Sequence, residues 1–154
     1  YYNWRGCHQV VNLALKYCSQ PDLQCFTNGQ LNLCIMWDQG RSVKQDYAQA
    51  FKWYNKPAQQ GYANAQVNLG IMYNQGRGVK QDYAQAFKWY SKAAQQGFAD
   101  GQLNLGFMYD QGRGVKQDYA QAFKWYNKAA QQGDADTQVN LGIMYNKGRG
   151  VKQD

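Results

Sequence analysis

Residues 66–101 lie on residues 102–137 without a gap, and 30 of the 36 positions are identical. Residues 30–65 match 66–101 at 26 of 36 positions, and 138–154 match 102–118 at 13 of 17. A period of 36 residues that never slips constrains the fold more than any other feature. A unit this short cannot bury a core alone and must stack on its own copies. The first 29 residues fit the same register loosely. Laid on 37–65, Arg5, Gln9, Ala14, Lys16, Pro21, Gln24 and Asn28 are identical, and Gly6 falls where Gly78 and Gly114 fall. The chain therefore reads as one continuous solenoid: a degenerate copy at 1–29, full copies at 30–65, 66–101 and 102–137, and a partial copy at 138–154. It opens at Tyr1 without a Met or a leader, and so reads as an internal or processed piece of a longer array.

The repeat explains a narrow composition. There are 23 Gln and 13 Tyr, all ten acidic residues are Asp, and the single histidine is His8. These counts disfavour a His-rich metal site, a Glu-based acid/base pair and a Ser/His triad. No catalytic constellation repeats or converges, so the chain reads as non-enzymatic, with neither cofactor nor metal. A hydrophobic content of 44% excludes a disordered chain. No apolar run approaches the roughly 18 residues that a membrane span requires, so no membrane insertion is expected.

Within one unit, Asn64 precedes an apolar series, Ala65, Leu69, Met72 and Tyr73, spaced as one helical face. Asn64 and its equivalents Asn28, Asp100 and Asp136 are N-cap types, which predicts that a first helix, A, begins just after each. Gly76 and Gly78 close helix A and form a loop. Asp82, with Gln85 three residues on, then fits a capping box for helix B. Tyr83, Ala86, Phe87, Tyr90, Ala93 and Ala94 form the apolar stripe of helix B, and Gly97 ends it. Gly70, Gly106 and Gly142 lie within helix A, where glycine costs about 1 kcal/mol relative to alanine. Close approach of another helix would offset that cost. The small Ala86, Ala93 and Ala94 are expected to receive aromatic rings of a neighbouring unit.

The series Ala65, Leu69, Gly70, Tyr73, Gly76, Gly78, Val79, Asp82, Ala86, Trp89, Tyr90, Lys92, Ala93, Ala94, Gly97 and Ala99 closely resembles the Sel1-like repeat, a relative of the tetratricopeptide repeat. The resemblance is strong over residues 30–154 and weak over 1–29. It implies an all-α, right-handed α/α superhelical solenoid that acts as a protein–protein scaffold or adaptor. It also favours the bacterial periplasm or secretion as the location. The first copies depart from the pattern. Cys34 replaces the helix A glycine, Ser42 a loop glycine and Cys25 the glycine that ends helix B. Pro21 and Pro57 stand within helix B, which predicts a kink or an early stop there. Drift, an atypical terminal cap and a specialised binding edge all fit these departures.

The four cysteines, Cys7, Cys18, Cys25 and Cys34, all fall in this atypical region. One disulfide between two of them, or free buried thiols, are both compatible with the count. Their spacing is not that of a zinc site. The cysteine-rich bacterial branch of the resembling family places its cysteines late in helix B and at the start of the next helix A. Here Cys18, Cys25 and Cys34 map onto Tyr54, Gly61 and Gly70 instead.

Two surfaces are candidates for binding. Stacking at the repeat period places Asn32, Asn68, Asn104 and Asn140 in one row and Ile35, Ile71, Phe107 and Ile143 beside it, with Gln75 on the same face. In superhelices of this type helix A lines the concave side. An amide both donates and accepts, so this row could pair with the backbone of a protein or peptide partner. A polar spacer, or a bond within its own unit, is the plainer role for the Asn. The second surface is a basic ladder in the A–B loops: Arg41, Arg77, Arg113 and Arg149 with Lys44, Lys80, Lys116 and Lys152. With a net charge of +7, it suits a polyanion or an anionic component of the cell envelope, although a copied solvent-facing row fits equally. No specific nucleic acid is expected, because the tyrosines and tryptophans are spaced for core packing. The loop glycines lack the Lys-Ser/Thr ending of a phosphate cradle and read as a turn. The last helix A, near 137–146, is expected to leave Leu141, Met144 and Tyr145 unpaired, open to fraying or to end-to-end self-association.

Overall fold

A computed structural model of the chain describes residues 47–133 and 135–150. They form six helices: α1 (Tyr47–Gln59), α2 (Ala63–Gln75), α3 (Tyr83–Gln95), α4 (Ala99–Gln111), α5 (Tyr119–Ala130) and α6 (Ala135–Lys147). Helices α1, α3 and α5 are B copies, and α2, α4 and α6 are A copies. Each packs on the next in sequence, and α2 also touches α4. The result is an all-α repeat solenoid. The degenerate copy at 1–29 and all four cysteines lie outside the described residues.

The core is a series of thin layers between each B helix and the A helix that follows. Ala50, Tyr54 and Ala58 of α1 cluster with Ala65, Leu69 and Met72 of α2. Ala86, Tyr90, Ala93 and Ala94 of α3 cluster with Leu105 and Met108 of α4, and Tyr109 and Trp125 of the next unit pack against them. The small residues of helix B thus receive aromatic rings from the neighbouring unit, as their size suggests.

Helix B starts as its sequence predicts. The Asp82 carboxylate accepts the Gln85 N–H at 3.0 Å, and Asp118 does the same for Gln121 at 3.0 Å. The reciprocal half of the capping box is replaced by a longer-range bond. The Asp82 backbone N–H donates to the Tyr73 carbonyl at 2.9 Å, tying the start of helix B to the end of helix A. Helix A, in contrast, starts earlier than its sequence predicts. Tyr62 and Phe98 occupy the cap positions and make no side-chain cap bond. Asn64 and Asp100 lie inside the first turn. The reason is the turn before it: Gly61, at φ 100°, closes helix B, and the Tyr62 N–H bonds to the Pro57 carbonyl at 3.1 Å. The chain therefore enters helix A at once, and the Asp100 carboxylate sits by the positive end of the helix dipole. Pro57 also behaves differently from expectation. Helix α1 runs through it to Gln59, as long as α3. Pro57 lies in the last turn, where the missing N–H removes a single helical bond and its carbonyl still closes the turn.

The glycines mark close approaches. A Cβ at Gly70 would stand 2.6 Å from the Tyr90 ring, and one at Gly106 would stand 2.7 Å from the Tyr126 ring. Gly70 and Gly106 are thus each a socket for a tyrosine of the helix B of the same unit. Gly78, at φ 68°, lies on the Tyr47 carbonyl of the preceding helix B, and Gly114 lies likewise on that of Tyr83. No side chain fits in either place.

Ring pairs and glutamine amides add further contacts within and between the units. Phe51 meets Tyr73 edge-on with centroids 5.4 Å apart, and Phe87–Tyr109 and Phe123–Tyr145 repeat this at 5.4 Å. Buried Gln66 donates to the Ala58 carbonyl at 3.1 Å and accepts from Gln96 at 2.8 Å. One unit on, Gln132 donates to Gln102 at 2.9 Å and to the Gly97 carbonyl at 2.8 Å. Four glutamines thus have structural roles: the buried amides of Gln66 and Gln102 pair with Gln96 and Gln132 of their own hairpins, and Gln66 and Gln132 also reach carbonyls of the preceding unit.

In α6, Met144 is buried and Leu141 half-buried, both packed with Ala122 and Tyr126 of α5. The expectation that these two are unpaired is corrected, since they face the preceding helix B. The exposed large apolar side chains of α6 are Val139, Ile143 and Tyr145, at 63%, 44% and 61%.

Candidate binding surface

The helix A row is partly accessible. Asn68, Asn104 and Asn140 are half-buried, and Gln75 is exposed. Ile71 and Phe107 are half-buried, because they pack against the clusters of Tyr90 and Tyr126, whereas Ile143 is open. The apolar row is thus a set of shallow ledges. The Asn104 amide donates to the Asp100 carbonyl one turn back, at 2.8 Å. This leaves the Asn104 side-chain oxygen to accept from outside. Asn32 and Ile35 lie outside the described residues.

The loop ladder is built differently from a free basic row. The Arg77 guanidinium lies over the Tyr47 ring at 5.3 Å, Arg113 over Tyr83 at 5.4 Å, and Arg149 over Tyr119 at 4.9 Å. Arg113 also lies 5.3 Å from the Phe107 ring. Each arginine reaches back to the first tyrosine of the preceding helix B, a cation–π contact worth roughly 0.5–1 kcal/mol at an exposed site. Lys80 and Lys116 are exposed. Arg41, Lys44 and Lys152 lie outside the described residues.

The position at the end of helix A differs between units and was not among the sequence-derived sites. Asp110 lies 4.0 Å from Arg149 of the next loop and accepts from Gln111 at 2.6 Å. The equivalent Asn74 has a buried side-chain oxygen without a partner, as do the Trp89 indole N–H and the Tyr90 hydroxyl. Burial pushes the Tyr90 phenol above its usual pKa. The Tyr126 phenol is raised by burial and by the charge of Asp110. The variation of Asn74, Asp110 and Asn146 was visible in the repeat alignment, but its proximity to Tyr126 and Arg149 depends on stacking.

Among the described residues, no group of His, Cys and Asp side chains could hold a metal ion, and no helix is long and apolar enough to cross a membrane.

Helical hairpins stacked at a fixed period, with glycine sockets and loop staples, define an α/α repeat solenoid built for interaction surfaces. The Sel1 repeat matches residues 27–62, 63–98, 99–134 and 135–154, and the chain belongs to the Sel1 repeat family. This phase begins each unit at helix A, three residues before the 66–101 register. Proteins of this family are generally scaffolds for protein interaction and typically non-catalytic. The chain is 46% identical to a protective antigen of uropathogenic Escherichia coli strains with an SLR fold, at a TM-score of 0.80 over 83% of this chain and 27% of that one. It is 33% identical to a Sel1 repeat protein from Oxalobacter formigenes, with a TM-score of 0.82 over 98% of this chain and 63% of that one. Helicobacter pylori cysteine rich protein B is 25% identical, with a TM-score of 0.65 over 85% of this chain and 94% of that one. The chain thus spans less than two thirds of the first two relatives. A search of the curated proteins finds no match to it.

Proposed function

We propose that the row of Asn68, Asn104 and Asn140, with its ledges at Ile71, Phe107 and Ile143, binds an extended segment of a partner protein. The observation that supports this reading is the Asn104 side chain: one amide N–H goes to the Asp100 carbonyl, which orients the group and leaves its second N–H and its oxygen to pair with a partner's backbone. An anionic partner on the loop ladder would compete with tyrosine rings for the arginines, which favours the helix A row. The chain's bacterial relatives, one of them a protective antigen, support action in the periplasm or outside the cell.

The double variant Asn68→Ala, Asn104→Ala removes two acceptors. Each hydrogen bond contributes about 0.5–1.5 kcal/mol, so partner affinity should fall roughly 5- to 150-fold. The check is capture of partners by wild type and variant from an extract of the native compartment, with mass spectrometry. Circular dichroism should show both folded, and equal capture would reject the row.

A second reading concerns α6, where the exposed Val139 and Ile143 offer a face for end-to-end self-association. Sedimentation velocity across a concentration series should then show a dimer that Val139→Lys removes. A monomer throughout would reject it.

A further inference from the structure

The charges separate by helix type. The exposed stripe of α1 is Ala48, Lys52, Lys56 and Gln59, and that of α3 is Ala84, Lys88, Lys92 and Gln95. Helix α5 repeats it with Ala120, Lys124 and Lys128. No acidic residue occurs anywhere in these three helices. Helices α2 and α4 carry no Lys or Arg, and the acids Asp100, Asp110 and Asp136 lie in α4 and α6. The nearest acids in sequence to the B helices, Asp82 and Asp118, are taken up as N-caps.

The B helices form one continuous layer. Trp89 of α3 belongs to the cluster of Ala50, Tyr54 and Ala58 of α1, and Trp125 of α5 packs against the cluster of α3. Lys92 lies over Trp89 at 4.5 Å and Lys128 over Trp125 at 4.6 Å. These lysines are therefore held above the indoles that bridge neighbouring helices, with Lys88 and Lys124 one turn away.

We infer that this layer rests on a membrane surface rich in anionic lipid headgroups, independently of the helix A row. Three features favour lipid over a nucleic acid strand. The lysines spread over three parallel stripes rather than along one groove. They are lysines, which meet phosphates as point charges, not the bidentate arginines of specific readers. The tryptophans beneath them are buried or half-buried and so give bases no face to stack on. The stripe holds no large apolar side chain, so attachment is electrostatic and stays at the headgroup level. Each lysine near an anionic surface contributes about 1 kcal/mol, roughly fivefold in partition.

The test is co-sedimentation with phosphatidylglycerol-containing and purely phosphatidylcholine vesicles at low and high salt. Wild type should bind only the anionic vesicles and lose them as salt rises. The variant Lys88→Gln, Lys92→Gln, Lys124→Gln, Lys128→Gln should bind at least about 100-fold more weakly. A variant with the same charge loss in the loops, Arg77→Gln, Lys80→Gln, Arg113→Gln, Lys116→Gln, should retain most of the binding. Equal loss in both variants would show that only net charge matters and would overturn the assignment. So would the absence of binding to anionic vesicles at low salt. Tighter binding to a single-stranded oligonucleotide than to the vesicles would assign the layer to a linear polyanion instead.

Discussion

Helices α2 and α6 have nearly the same sequence but different surroundings. Val67 of α2 is 5% exposed, whereas Val139, its copy in α6, is 63% exposed. Gly70 is filled by the Tyr90 ring, while a Cβ at Gly142 would meet nothing within 4 Å. The other side of α6 is normal: Met144 is 3% exposed, Thr137 is fully buried, and Tyr145 keeps its edge contact with Phe123 at 5.4 Å. One helix thus has two independent faces. The face toward the preceding helix B keeps its contacts in both copies through Met72 and Met144, although Leu141 and Tyr145 are less covered than Leu69 and Tyr73. The face toward the following helix B is complete only in α2, because no helix among the described residues covers it in α6. Burial in this fold belongs to the interface and not to the repeat sequence.

The largest expected effect comes from removing the ring that fills the socket. Tyr90→Ala should lower unfolding free energy by about 3–5 kcal/mol, the usual loss for a buried aromatic. Tyr145→Ala should cost under about 1 kcal/mol, since its ring is mostly exposed and loses mainly one edge contact. Urea denaturation of both variants checks the pair. Similar losses would mean that the Tyr145 ring is covered in solution, and α6 would then be less open than α2 suggests by contrast.

How much of this was legible before folding follows from range. The period, the two helices, the Asp82 cap and the function of the helix A glycines were all readable, because each rests on spacing within one unit. The start of helix A was misread. Asn64 is a good cap type, but the turn at Gly61 leaves no room for a cap two residues later. The arginine ladder looked solvent-facing because its partner, the first tyrosine of the previous helix B, lies 30 residues back in sequence. The glutamine excess was obvious, but amide pairs such as Gln66–Gln96 join residues 30 apart and exist only once the hairpin has closed. In the candidate site, the Asn row was legible as a column. A bond within its own unit, which Asn104 makes, was among the roles open to that row; the half-burial of Phe107 was not legible, since it depends on the neighbouring layer.

A smaller effect should change sign between the two helices. Gly70→Ala drives a methyl into the Tyr90 ring and should destabilise by about 1–3 kcal/mol. Gly142→Ala meets open space in a helix and should stabilise by about 0.5–1 kcal/mol. Matched denaturation curves decide the point. A destabilising Gly142→Ala would show that another helix occupies this socket.

The smallest effect should show no contrast at all. Asp82 and Asp118 cap α3 and α5 with the same geometry, each accepting an N–H at 3.0 Å. Capping is a contact between a side chain and its own helix, so it should not respond to whether the unit has a covered neighbour. Asp82→Ala and Asp118→Ala should therefore each cost about 1 kcal/mol. Amide exchange in the first turns of α3 and α5 should speed up in the matching variant alone. If Asp118→Ala also speeds exchange throughout α6 while Asp82→Ala leaves α4 protected, the cap acts through the stacked interface. Local and interfacial contributions would then no longer separate along this chain.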